Sequence, residues 1–222
     1  TFSGLSNLLG SRCAFMSTVN ISMDGLSLEK ASLTTPDAIS IHRNMKNAIH
    51  NDAKYLAMEA SSHGLEQHRL NGIDIDYAVL TSFSHDHLDY HGDINHYKSA
   101  KEKLFFDLHP KSNIICIDSS FGRKLYEDLL KINPNTYSVS IKQKADFQAS
   151  FKESPLGIKV NLLALDQELT FELKTISKYL ASNIICSMAI LSLEGFNNSL
   201  LEKYAQDINI PSGRLEKIVK NL

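Results

Sequence analysis

No stretch of this 222-residue sequence is long and apolar enough to cross a bilayer. Its most apolar segment, Tyr179 to Leu193, is broken by Ser182, Asn183 and Ser187 and falls short of the roughly 20 residues a span needs. No membrane partner is expected. Neither sign of charge is in excess: 23 Lys and Arg stand against 25 Asp and Glu, a formal net charge of -2. Without a basic surplus to neutralise a phosphate backbone, nucleic acid is not expected as a partner. Cysteine is scarce. Cys13, Cys116 and Cys186 are odd in number, far apart and set in apolar runs, which suits buried reduced thiols in the cytoplasm better than disulfides or a zinc cage. Also missing are internal repeats, low-complexity tracts, a G-x-S-x-G nucleophile elbow and a G-x-x-x-x-G-K-[ST] phosphate loop. The first residues carry no initiating Met, basic n-region or cleavage motif and open inside a helical pattern, so the chain is expected to be a piece of a longer protein.

The residues present describe an α/β protein. Phe2, Leu5, Leu8 and Leu9 predict a helix that stops at Gly10, and Ala14 to Ile21 reads as a strand. Pro36 pushes Thr35 towards an extended conformation ahead of a helix whose apolar face would be Ile39, His42, Met45, Ala48 and Ile49. Thr34, Thr35 and Asp37 read most plainly as a helix cap. Strands Tyr55 to Met58, Tyr77 to Phe83, Ile114 to Ile117 and Tyr137 to Ser140 alternate with helices, which argues for a mostly parallel sheet flanked by helices over residues 1–142. From 143 to 222 the style changes. Phe147 to Phe151, Gly157 to Leu163 and Glu168 to Leu173 read as a small antiparallel appendage, followed by a buried helix, Tyr179 to Leu193, a smaller helix, Leu200 to Ile208, and an exit loop, Ile210 to Glu216.

Six of the nine histidines lie between Ala57 and Phe106, beside Glu59, Arg69, Asp86, Asp89 and Lys101. The polar clusters follow apolar runs directly, as a site beyond the carboxyl ends of strands would require. Glu59 ends a strand expected to be buried, where a carboxylate must be paired or bind a cation. Arg69 has a planar fork suited to a carboxylate or phosphate, although a solvated arginine is the commoner case. His85, Asp86, His87, Asp89 and His91 crowd one loop and point to metal or phosphate binding. Their spacing also resembles the H-x-H-x-D-H string of dinuclear metal hydrolases, but Tyr90 separates the Asp and His that such a site needs adjacent. Lys101 falls on the apolar side of a helix with Ile94, Tyr97, Leu104 and Phe105. A desolvated lysine releases its proton more readily and can attack carbon dioxide; the plainer reading is a lysine that snorkels to water.

Thr34-Thr35-Pro36-Asp37-Ala38, Met58-Glu59-Ala60-Ser61-Ser62-His63-Gly64-Leu65, Asp86-His87-Leu88-Asp89-Tyr90-His91-Gly92, Ala100-Lys101 and Gly213-Arg214-Leu215-Glu216 occur in that order. Together they resemble the central domain of the Mur ligases, most closely the branch that adds the third amino acid to UDP-N-acetylmuramoyl-L-alanyl-D-glutamate. The resemblance implies ATP as co-substrate, Mg²⁺ as cofactor, and the muramoyl dipeptide and a diamino acid, diaminopimelate or lysine, as the other partners of a monomer. It implies Glu59, His87 and a carbamylated Lys101 as metal-holding and catalytic residues. Thr34, Thr35, Ser61, Gln67 and Arg69 would hold the dipeptide part, and Asn183 and Arg214 the nucleotide. It further implies that an N-terminal uridine-binding domain and a C-terminal amino-acid-binding domain lie outside these residues; without a phosphate loop, this chain is expected to be inactive alone. A related ligase of the folylpolyglutamate type or another Mur branch, a dinuclear metal hydrolase and a non-catalytic substrate-binding remnant are the alternatives. Ser177 and Leu180 stand where the family's G-x-x-N-x-x-N has Gly and its first Asn, while Ser82 and Ser17 replace a usual Asn and a frequent Gly.

Overall fold

The computed structural model describes residues 1–26, 28–84, 88–155 and 157–208, with only the backbone at 88 and 89. Helix α1 (Phe2–Leu8) buries Leu5 and is closed by Gly10 in the left-handed region at φ +78. Strand β1 (Cys13–Met16) then pairs in parallel with β4 (Tyr55–Met58), Cys13 opposite Tyr55 and Met16 opposite Met58.

The single strand expected from Ala14 to Ile21 is instead two. The Ser17 hydroxyl donates to the Asn20 carbonyl at 2.8 Å, and the Ser17 backbone N–H reaches the same oxygen at 3.1 Å. A hydroxyl that bonds locally to backbone offers the chain an alternative to the ladder. The chain reverses there into β2 (Asn20–Ser22), antiparallel to β1, and on to β3 (Glu29–Lys30), giving a four-stranded sheet of order β3-β2-β1-β4.

Asp37 caps α2 (Ala38–His50) by accepting from the Ser40 N–H and hydroxyl, and these bonds hold its carboxyl below the ordinary carboxylate range. The buried stripe of α2 differs from expectation. Ile41 and Ala48 are buried with Met45 beside them, whereas Ile39 and Ile49 are each 72% exposed. Spacing fixed the helix but not its rotation, because Ile39 and Ile41 lie on different faces of a 3.6-residue turn.

The second sheet holds β5 (Tyr77–Leu80), which ends three residues before the expected Phe83, β6 (Ser112–Cys116), β7 (Thr136–Ser140), β8 (Phe147–Ser154), β9 (Gly157–Ala164) and β10 (Gln167–Leu173). Their order is β10-β9-β8-β7-β6-β5, parallel from β5 to β8 and antiparallel from β8 to β10. The antiparallel strands therefore continue the parallel sheet through the β7–β8 pairing. Burial alternates along β9 with period two, as one covered face demands. Helices α7 (Lys178–Leu193) and α8 (Asn198–Ala205) lie against that face, with Ile184 and Ile185 packed among Val160, Leu162 and Phe171. Each such side chain contributes about 1.5–3 kcal/mol when fully buried. On the other side, Phe105 of α5 (Ile94–Phe106) and Phe121 and Leu125 of α6 (Ser120–Leu130) pack on Leu80 and Ile115.

Short helices α3 (Ser62–Glu66) and α4 (Leu88–His91) complete the described elements. The two sheets meet at Glu194, which accepts from the hydroxyls of Tyr55 at 3.1 Å and Tyr77 at 2.8 Å. No helix among the described residues is long and apolar enough to cross a membrane.

Candidate active site

The carboxyl end of β4 gathers most of the polar residues singled out in the sequence. Glu59 extends the β1–β4 pairing by donating its N–H to the Met16 carbonyl at 3.0 Å. Its side chain is exposed, not buried as expected, since β4 is an edge strand that is only half-buried along its length. No desolvation penalty therefore forces a partner on it. The Glu59 carboxylate accepts at Oε2 from the Thr18 N–H, 2.9 Å, and from the Thr18 hydroxyl. A carboxylate offers about four lone-pair sites, so Glu59 keeps capacity for a hard divalent cation such as Mg²⁺, and the donor set fits that ion.

Thr35 is a strut beneath this end. It is 1% exposed, its hydroxyl donates to the Glu59 carbonyl at 2.7 Å, and the same oxygen accepts from the Ser61 N–H at 2.9 Å. Ser61 in turn caps α3, its hydroxyl accepting from the Gly64 N–H at 3.1 Å. Gly64 is what permits the close approach: a Cβ there would lie 2.8 Å from both Cβ and Cγ2 of Thr35. Thr34 sits half-buried beside this knot. Arg69 donates to the Thr35 carbonyl at 2.5 Å, and to Gln67 Oε1 from Nε at 3.0 Å and Nη2 at 2.6 Å, so its planar cation is oriented by two neighbours. Gln67 also reaches the Tyr90 hydroxyl at 3.4 Å.

Lys101 arrives from α5. Its Nζ donates to the Ala60 carbonyl at 3.3 Å and lies 5.9 Å from the centre of the Tyr97 ring. It is half-buried, and its ammonium reaches the residue next to Glu59 across 41 positions of chain. Thr35, Glu59, Ser61, Gln67, Arg69 and Lys101 thus converge on one strand end. Asn183 stands apart from them on α7, half-buried, its carbonyl accepting from the Ser187 hydroxyl at 2.9 Å. Ser177 caps α7, its hydroxyl accepting from the Leu180 N–H at 3.3 Å. His85, Asp86, His87 and the side chain of Asp89 lie outside the described residues, as do Arg214 and the loop around it.

Sequence reasoning missed Thr18, which anchors Glu59 only because the chain reverses after β1, and Tyr90, whose ring lies 3.9 Å from that of His63. Neither carries a local signal; the histidine- and aspartate-rich string around Tyr90 was the nearest hint. The three cysteines are buried and unbridged, as expected. Burial pushes the Cys13 thiol up to about 12 and raises those of Cys116 and Cys186 as well, which keeps them in the inert neutral form.

A family model described as the Mur ligase middle domain matches residues 1–191. The UDP-N-acetylmuramoyl-L-alanyl-D-glutamate--2,6-diaminopimelate ligase of Clostridioides difficile is 31% identical over 208 residues, covering 93% of this chain and 43% of that protein. The enzyme of the same name from Pseudomonas putida is 29% identical over 221 residues, covering 96% of this chain and 44% of its own length. A solved structure of a ligase of that name superposes with a TM-score of 0.85 at 28% identity, covering 100% of this chain and 46% of the other. The chain spans less than half the length of the curated relatives it matches.

Proposed function

This chain belongs to the Mur ligase middle-domain family, and from that premise we propose that it is the catalytic centre of an ATP-dependent ligase joining diaminopimelate or lysine to UDP-N-acetylmuramoyl-L-alanyl-D-glutamate. One observation carries the reading: α5 and the Thr35 loop both close on the end of β4, so that Lys101 bonds to the Ala60 carbonyl and Thr35 to the Glu59 carbonyl. The similarity to enzymes named for that reaction supports the substrate. On this reading the chain is a partial central domain, with residues 1–142 supplying the metal and substrate groups and uridine-binding and amino-acid-binding domains lying elsewhere in the protein. The whole protein acts as a cytoplasmic monomer in peptidoglycan precursor synthesis, away from membrane and nucleic acid.

The terminal phosphoryl group of ATP passes to the glutamyl carboxylate, releasing ADP and leaving an acyl phosphate. The amine of the incoming amino acid then attacks the carbonyl carbon, inorganic phosphate departs and the nitrogen loses a proton. Glu59, His87 and Lys101 would hold Mg²⁺, which would supply charge neutralisation at the transferring oxygens. Arg69, kept in plane by Gln67 and Thr35, presents a fixed cation to the anionic precursor. Thr34, Ser61 and Gln67 line its dipeptide part, while Thr35, expected to hold the dipeptide as well, is 1% exposed and instead keeps Ser61 and Glu59 in place. Lys101 acts as a carbamate: its neutral amine takes up carbon dioxide, loses a proton and becomes an anion. Asn183 and Arg214 contact the nucleotide.

Lys101→Ala in the full protein tests the assignment. Dipeptide- and diamino-acid-dependent ADP release should collapse, and short carboxylic acids should restore part of it by standing in for the carbamate. A loss that no carboxylic acid rescues would make Lys101 a structural cation.

A further inference from the structure

A second cluster of ligating groups lies beside the candidate site and takes no part in the reaction above. Glu66 ends α3, His91 ends α4 and His96 lies in the first turn of α5. Gly92, left-handed at φ +76, turns the chain between α4 and α5. Asp93 caps α5 by accepting from the Asn95 N–H at 2.7 Å and the His96 N–H at 2.9 Å, which fixes the backbone from which His96 projects. One nitrogen of each imidazole and one oxygen of Glu66 all lie within 4.8 Å of one another.

We propose that Glu66, His91 and His96 form a binding site for a divalent transition cation of the zinc type, pinning α3 to α4 and α5. The tautomer of His96 is the first argument. Its Nδ1 lies 3.0 Å from the His91 carbonyl, which can only accept, so Nδ1 carries the hydrogen. In the neutral ring Nε2 is then a bare lone pair, and it faces Glu66 Oε1 at 3.3 Å. Two acceptors face each other, so either a second proton or a cation lies between them. A backbone carbonyl that fixes the far nitrogen is also the usual support of a metal-binding histidine.

Spacing favours the cation, as does burial on the Glu66–His91 side, while the His96 side chain, 54% exposed, forms the open edge of the site. Glu66 Oε2 is buried and has no hydrogen-bond partner among the described residues, and it lies 3.7 Å from Nδ1 of His91, a side chain with no exposed surface. Metal bonds of 2.0–2.2 Å at tetrahedral angles put neighbouring ligand atoms about 3.3–3.6 Å apart. The separations of 3.3 Å to Oε1 and 3.7 Å to Oε2 of Glu66 lie near that spacing, and the three ligand atoms, all within 4.8 Å of one another, must draw together to complete it. Two imidazoles and one carboxylate suit zinc or cobalt rather than magnesium, which prefers oxygen alone, and they leave a fourth position for water. The competing occupant is Lys103, whose Nζ lies 3.7 Å from Glu66 Oε1.

Cobalt(II) added to the full protein reports the site directly, because tetrahedral cobalt absorbs strongly in the visible and six-coordinate cobalt only weakly. We expect one equivalent with the tetrahedral band. Glu66→Gln and His96→Gln should each weaken it by more than about 100-fold, beyond the loss caused by removing an outer partner, while Glu59→Gln keeps it. Lys103→Ala should tighten binding by about fivefold, the scale of one partly exposed ion pair, an increase that misfolding cannot mimic. Zinc should raise the thermal midpoint of the wild type but not of Glu66→Gln. Absence of the band, its survival in both ligand variants, or its loss in Glu59→Gln alone would overturn the proposal.

Discussion

Gly64 shows how much of the candidate site rests on the size of one side chain. The methyl group of alanine would sit 2.8 Å from Thr35 Cβ, an atom next to backbone that cannot swing aside. Gly64→Ala must therefore push α3 away from Thr35, stretching the bonds from Thr35 to Glu59 and Ser61. Overpacking of this kind costs on the order of 1–3 kcal/mol. Chemical denaturation should show that loss, together with weaker binding of the muramoyl dipeptide by the full protein. Unchanged stability would mean that the Thr35 knot relaxes freely. The sequence contained Thr35, Ser61 and Gly64 in plain view, but a helix cap was the plain reading only of Thr34, Thr35 and Asp37. The cap is real, but Asp37 supplies it on α2 and Ser61 on α3, while Thr35 turns inward.

At the scale of elements, the joint between the sheets depends on three side chains. Tyr55 on β4 and Tyr77 on β5 both donate to Glu194, which follows α7. Burial, and then the bond to Glu194, push the Tyr55 phenol up to about 12 from 10.0 and raise that of Tyr77 further. A group whose folded value is raised stabilises the fold in its protonated form. That contribution is complete below about pH 10, the ordinary tyrosine value, and fades as pH rises through the folded value near 12. The free energy of unfolding should fall across this window, and the double variant Tyr55→Phe, Tyr77→Phe should lose part of the slope. Equal slopes in the two proteins would show that the phenols do not couple to folding. This joint left no trace in the sequence, since its partners are separated by 139 and 117 positions.

For the molecule as a whole, the proposed reading assigns the described groups to the acceptor carboxylate and its cations more than to ATP. The 222 residues contain no G-x-x-x-x-G-K-[ST] loop to cradle phosphates with backbone N–H groups. On the proposed reading, the isolated chain should release no ADP in response to the muramoyl dipeptide, whereas the full protein should. Dipeptide-dependent release by the isolated chain would show that phosphates are held by other residues.

The order of motifs, the alternation of strands and helices, the capping residues and the apolar character of α7 were determined by the sequence alone, because each is written in neighbours within about one turn or one strand. The family followed from the same strings. Tertiary structure alone decided that the chain doubles back at Ser17, that α2 buries Ile41 and exposes Ile39, and that Glu59 stands in solvent at a sheet edge. It alone brought Thr35 to Ser61 across 26 residues and Lys101 to Ala60 across 41. Depth, pairing partner and helix rotation are set by contacts between segments distant in the chain, and local spacing carries no record of them.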